Sequence, residues 1–167
     1  MSKTTFQGMP VDIQGEFIQA GAKAPEFSLV KGDLSRFTLA DGKGKNPILN
    51  IFPSMDTAVC ATSVRKFNKA AASLPNTLVL CISKDLPFAQ SRFCTTEGIQ
   101  NVVPLSDFLF DSDFAAKYGL LMLTGPLKGL LARSVVVINP EGEVVYTELV
   151  DDIVKEPNYE AALNAVK

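Results

Sequence analysis

The chain has 167 residues, 16 basic and 18 acidic, a formal charge of −2, and 47% hydrophobic content. A domain of this size can bury roughly two-thirds of its extended surface without disulfides or metals, and its charge balance supplies no broad positive field for nucleic acid or anionic membrane. No apolar run reaches the ~18 residues of a membrane span, and Lys3, Asp12, Gln14 and Glu16 interrupt what a secretory leader would keep apolar, so the expected location is the cytoplasm.

In chain order, Thr4–Gln7, Gly8-Met9-Pro10 and Val11–Ile13 read as strand, turn and strand. Phe27–Val30 and Phe37–Leu39 are further strands, and the Gly/Lys-rich stretch 41–47 leads into the apolar run Ile48–Phe52. Pro53 ends that run, because it has no backbone donor and a fixed φ. A helix is expected from Thr57, with Cys60, Val64, Phe67, Ala71 and Leu74 on one stripe and Leu74-Pro75-Asn76 closing it. Thr77–Ser83 is a strand. Leu86–Thr96 is a helix with Pro87 in its first turn and Gly98 at its exit.

Val102–Leu105 is a short strand, and Asp111–Tyr118 a helix ending at Gly119. The segment Leu123–Leu130, rich in Gly and Pro, reads as a shaped loop near a site. Ser134–Asn139, the turn Pro140–Glu143 and Val144–Val150 form a hairpin, and Tyr159–Val166 a last helix that buries Tyr159, Ala162 or Leu163, and Val166. The alternation of strand, helix and strand predicts an α/β layer with a late antiparallel hairpin. Nothing marks a second domain, so residues 1–167 are expected to form one, with 1–17 as an N-terminal extension.

The chain contains no histidine, which excludes Ser-His-Asp and Cys-His catalysis and every imidazole metal site. Its three cysteines, Cys60, Cys81 and Cys94, are spaced by 21 and 13 residues, a poor pattern for structural zinc. No metal and no cofactor are expected. With Thr57 as N-cap, Cys60 is the third residue of its helix, among unpaired backbone N–H groups at the positive end of the helix dipole. A thiolate is favoured over a thiol there. The alternative is that Cys60 simply fills the apolar stripe, since cysteine packs as a small hydrophobe. Cys81, between Leu80 and Ile82 in a buried strand, reads as structural.

Pro53-Ser54-Met55-Asp56-Thr57-Ala58-Val59-Cys60 carries a P-x-x-x-T-x-x-C pattern, and with Ser91-Arg92-Phe93-Cys94 and Gly125–Arg133 the chain resembles the bacterial thiol peroxidases among the peroxiredoxins. The resemblance runs over essentially the whole length. It implies a thioredoxin-like fold with an N-terminal β-hairpin extension, Cys60 as the peroxidatic cysteine and Cys94 as the resolving cysteine that forms a disulfide with it. Thr57 would orient the peroxide, Pro53 would shield the pocket, and Arg133 would stabilise the charge that shifts as the O–O bond breaks. It further implies alkyl hydroperoxides and hydrogen peroxide as substrates, thioredoxin as reductant, and a homodimer. Met55, Phe88 and the 125–131 loop are expected to supply apolar surface that favours organic hydroperoxides. The competing functional class is a redox-sensing protein that uses the same disulfide as a binding switch.

Overall fold

The computed structural model describes residues 2–166. The first turn consists of Gln7 and Gly8, both at positive φ (52° and 83°), the primed two-residue geometry that suits the right-handed twist of a hairpin. It joins β1 (Lys3–Phe6) to β2 (Met9–Asp12), with Phe6 opposite Met9. The turn thus comes earlier than Gly8-Met9-Pro10, and Pro10 lies inside a strand of this two-stranded ribbon, where an edge tolerates its missing N–H.

After β3 (Ser28–Val30), β4 (Arg36–Thr38) and a 3-10 turn at Leu39–Gly42 come β5 (Asn46–Ile51) and α1 (Ala58–Ala71). Next are β6 (Thr77–Ser83), α2 (Pro87–Glu97), β7 (Val102–Ser106) and α3 (Phe114–Tyr118), then β8 (Ser134–Ile138), β9 (Val144–Leu149) and α4 (Tyr159–Asn164). The main sheet has the order β4-β3-β7-β6-β5-β8-β9. Its middle strands β5, β6 and β7 are parallel, as the crossovers through α1 and α2 require, while β8 runs antiparallel beside β5. This is a mixed α/β, thioredoxin-like arrangement preceded by a hairpin.

Three helices are shorter than their apolar periodicity suggests. α1 stops at Ala71, and Leu74 lies in the turn beyond it, its N–H bonded to the Ala71 carbonyl. α3 begins only at Phe114, because the Ser112 hydroxyl binds the buried Asp107 carboxylate and holds the preceding residues in a turn. α4 is capped by Asn158, whose side chain accepts from Ala161 N–H at 3.0 Å, and ends at Asn164. Of its expected core residues only Ala162 is fully buried; Tyr159, Leu163 and Val166 are half-buried.

Alternate residues of the central strands feed two core layers. Leu49, Ile51, Leu80, Ile82, Val136 and Ile138 pack on one face with Phe27, Phe114 and Tyr118. Ile48, Val79, Cys81, Val135 and Val137 pack on the other with Cys60, Val64 and Phe67 of α1. Strands covered on both faces need no polar alternation, which explains their continuous apolar runs.

Where the N-terminal extension crosses the end of α3, Gly119 takes φ 67°, and a Cβ there would strike the Glu16 carbonyl. Both strain and overlap oppose a side chain, so Gly119→Ala should destabilise the fold by about 2 kcal/mol or more, read as a lower urea midpoint with an unchanged slope.

Candidate active site

Pro53 is buried directly after β5, and the following turn delivers Thr57 in extended geometry (φ −93°, ψ 147°) as the N-cap of α1. Cys60 is therefore the third helical residue, as its spacing predicts, and it is fully buried. Thr57 itself is exposed, and its hydroxyl donates to the Ser54 carbonyl at 3.1 Å rather than to a helix group. That bond tightens the turn and leaves the first-turn N–H groups without a side-chain cap.

Arg133 comes from the strand next to β5, one residue before β8, which pairs with β5 antiparallel. It is only 2% exposed. Its Nη2 donates to Cys60 Sγ at 3.0 Å and its Nε to the Ile153 carbonyl at 2.7 Å, while Nη1 has no hydrogen-bond partner among the described residues. The sequence places Arg133 at a strand end; the structure turns it inward against the sulfur. Cys60 and Arg133 are thus brought into direct contact, with Pro53 and Thr57 on the turn that leads to the helix.

Asp85, which sequence reasoning passed over, holds that turn in place. Its carboxylate accepts from the Ser54 hydroxyl at 2.7 Å, Met55 N–H at 2.8 Å and the Ser83 hydroxyl at 2.6 Å. The Ser83 oxygen in turn accepts from the buried Gln90 amide of α2 at 3.0 Å. Asp85 therefore couples the turn before α1 to the start of α2. A signal was available: Ser83-Lys84-Asp85 leaves the carboxyl end of a central parallel strand, where open α/β sheets build their sites.

Between the start of α1 and α2 lies an open groove of about 840 Å³, lined by Met55, Thr57, Phe88, Arg92 and Phe93 among others. Phe88 is 64% exposed there, whereas Met55 is almost wholly buried. The 125–131 loop does not line this groove. Its Leu127 and Leu130 pack with Val11, Ile13, Met122, Ala132 and Ile153 beneath the N-terminal hairpin, because the hairpin's inward face is otherwise without a partner layer.

All three cysteines are free thiols. Cys94, half-buried on α2, packs against the same core layer as Cys60, and burial raises its pKa. Cys81 is fully buried beside Asn50, and desolvation pushes its thiol up to about 12. α2 is weakly held, burying only Pro87 and Gln90, whereas α1 buries Cys60, Ala61, Ser63, Val64 and Phe67. The C-terminal end of α2 and the residues after it are tied to α1 by Arg65, whose Nη2 lies 2.6 Å from Glu97, and by Asn68 Oδ1, which accepts from Gln100 and Asn101 N–H. Among the described residues no group of three or more Cys, Asp or Glu is placed to hold a metal ion.

The chain belongs to the Redoxin family, whose model matches residues 19–163. Within the family it falls among the bacterial thiol peroxidases. It is 56% identical over 166 residues to the thiol peroxidase of Corynebacterium glutamicum, covering 99% of both chains. The crystal structure of a peroxiredoxin-like protein from Aquifex aeolicus is 40% identical and superposes with a TM-score of 0.93, covering 99% of this chain and 96% of that one. The thiol peroxidase from Chromobacterium violaceum shares the fold at 20% identity, with a TM-score of 0.88 over 96% of this chain and 93% of that one.

Two outcomes follow from these contacts. Asp85→Ala leaves the Met55 N–H and two hydroxyls without their acceptor, so it should cost about 1–3 kcal/mol and speed hydrogen exchange at Met55–Thr57. Because the Cys81 thiol binds its proton more tightly folded than at the ordinary value of 9.0, stability should fall as pH rises from 9 towards 12. Tyr146, raised by burial to about 12, acts in the same direction. Cys81→Ala should remove part of that slope in denaturation measured across this range.

Proposed function

We propose that this chain is a thiol-dependent peroxidase in which Cys60 reduces alkyl hydroperoxides and hydrogen peroxide. One observation carries the reading: a buried guanidinium lies 3.0 Å from a buried sulfur at the third position of a helix. A charged Arg133 in the interior calls for an anion, and a Cys60 thiolate supplies one. The same sulfur is favoured as an anion by the first-turn N–H groups. No histidine is needed, since an ionised sulfur has no proton to remove.

In the reaction the thiolate attacks the terminal peroxide oxygen. An S–O bond forms, the O–O bond breaks, and the leaving alkoxide or hydroxide takes up a proton to depart as alcohol or water. Cys60 is left as a sulfenic acid. The unpartnered Arg133 Nη1 is a fixed donor beside the sulfur for the oxygen that gains negative charge. Thr57, on the wall of the open groove, orients the peroxide, and the buried Pro53 keeps water from the sulfur. Phe88 beside that groove favours organic hydroperoxides.

Cys94 then attacks the sulfenic sulfur; an S–S bond forms and the hydroxyl leaves as water. The sparse buried face of α2 supports opening of that helix, together with the first turn of α1, as the motion that lets the two sulfurs meet. Thioredoxin reduces the resulting disulfide. The exposed Leu86, Phe88, Phe108 and Phe110 leave the same end of β6 and β7 and fit a homodimer contact there.

In a thioredoxin-coupled peroxide assay, Cys60→Ser should abolish consumption. Cys94→Ser should keep a first turnover but lose recycling, and Cys81→Ser should retain the chemistry. Activity of Cys60→Ser equal to that of the unsubstituted protein would overturn the assignment.

A further inference from the structure

Arg133 is fixed at two points besides the sulfur, and both belong to the segment that follows β9. Val150 N–H donates to the Arg133 carbonyl at 3.1 Å, and Arg133 Nε donates to the Ile153 carbonyl at 2.7 Å. A guanidinium is a rigid planar fork, so fixing Nε fixes where the Nη donors point. The aim of Nη2 at Cys60 therefore depends on what holds the Ile153 carbonyl.

That carbonyl is held from the N-terminal hairpin. Ile153 N–H donates to the Thr5 carbonyl at 2.8 Å, Thr5 N–H to the Asp151 carbonyl at 3.1 Å, and Thr5 pairs with Asp152 in a parallel bridge. The Asp152 carboxylate gathers the rest. It lies 2.5 Å from the Thr5 hydroxyl and accepts from Gln7 N–H at 3.2 Å, Gly8 N–H at 2.9 Å and Val154 N–H at 3.0 Å. It thus spans the tight Gln7-Gly8 turn and the turn at 152–155. These donors keep its carboxyl well below the usual carboxylate range.

We propose that Asp152 is a positioning residue for the Cys60 site: it staples the hairpin to the segment after β9 and so fixes the Ile153 carbonyl that aims Arg133 at the sulfur. The N-terminal extension then has a part in the chemistry, though none of its described residues hydrogen-bonds the sulfur. The inference rests on the proposed role of Cys60 and Arg133. The other groups facing the pair are Tyr159 and Glu156 of the C-terminal segment, with Lys66 of α1 joined to Glu156 at 3.1 Å; all three stay in place in the variants below.

The test follows Cys60 in the reduced full-length protein by iodoacetamide alkylation across pH, with mass spectrometry of its peptide, and by single-turnover reduction of hydrogen peroxide at pH 7. Asp152→Ala should move the alkylation midpoint upward by about one pH unit, a tenfold drop in the ratio of thiolate to thiol, and slow peroxide reduction. Asp152→Asn, which keeps one acceptor oxygen, should have a smaller effect. In an Arg133→Gln background Asp152→Ala should shift the midpoint no further, because two residues acting through one contact are not additive. An unmoved midpoint in folded Asp152→Ala, or an equal shift with and without Arg133, overturns the proposal. Should Asp152→Ala fail to fold, Thr5→Val removes one donor and leaves the β1 backbone pairing; an unmoved midpoint there overturns it equally. An unsubstituted protein whose Cys60 consumes no peroxide defeats the functional reading instead, while the alkylation midpoint still judges Asp152.

Discussion

A guanidinium that is 2% exposed keeps its charge only if the interior offers acceptors and an anion close by. Arg133 finds a carbonyl at 2.7 Å and the Cys60 sulfur at 3.0 Å, with one nitrogen left over. Much of the architecture serves to keep those groups together. β5 leads to the turn and helix that carry Cys60, β8 begins one residue after Arg133, and the two strands are hydrogen-bonded neighbours in the main sheet. In the proposed mechanism the cost of burying the cation is offset by its contact with the reacting sulfur.

Around that pair the protein is rigid on one side and soft on the other. The strands beneath it are buried on both faces, and α1 presents an apolar stripe to them. α2 presents little, and is tied down mainly by polar contacts at its two ends, through Ser83 and Asp85 at the start and Glu97 at the finish. Polar ties of this kind can be broken and remade in water at small net cost. The division suits the proposed cycle, in which one thiol is held in a fixed field and the other travels.

The elements nearest Cys60 were legible because each has a local cause. Pro53 stops β5, Thr57 starts α1, Pro87 and Gly98 bracket α2, and the 3.6-residue stripe assigns Cys60, Val64 and Phe67 to the core. The helix ends were read less well. Ser112 is held by Asp107 and Asn158 caps through its own side chain, and such side-chain contacts compete with periodicity without altering it. What one sequence does not show is contact across a distance. Asp85 meets Ser54 and Met55 from 31 and 30 residues away, and Asp152 meets Thr5 from 147 away. Nothing in the spacing of these residues announces those meetings; the register of the sheet makes them. The 125–131 loop was misplaced for the same reason, since its apolar residues found the hairpin.

The two partners are 73 residues apart in sequence, one in the first crossover unit and the other just before the closing hairpin. A growing polypeptide that has completed α1 but not yet β8 carries the cysteine without its guanidinium. Only the helix's own field then acts on the sulfur, and its contact with the guanidinium arrives once the late hairpin docks beside β5. On the roles proposed for the pair, oxidant sensitivity is in this way deferred until assembly is nearly finished, and an immature chain is shielded from the proposed reaction of the mature one.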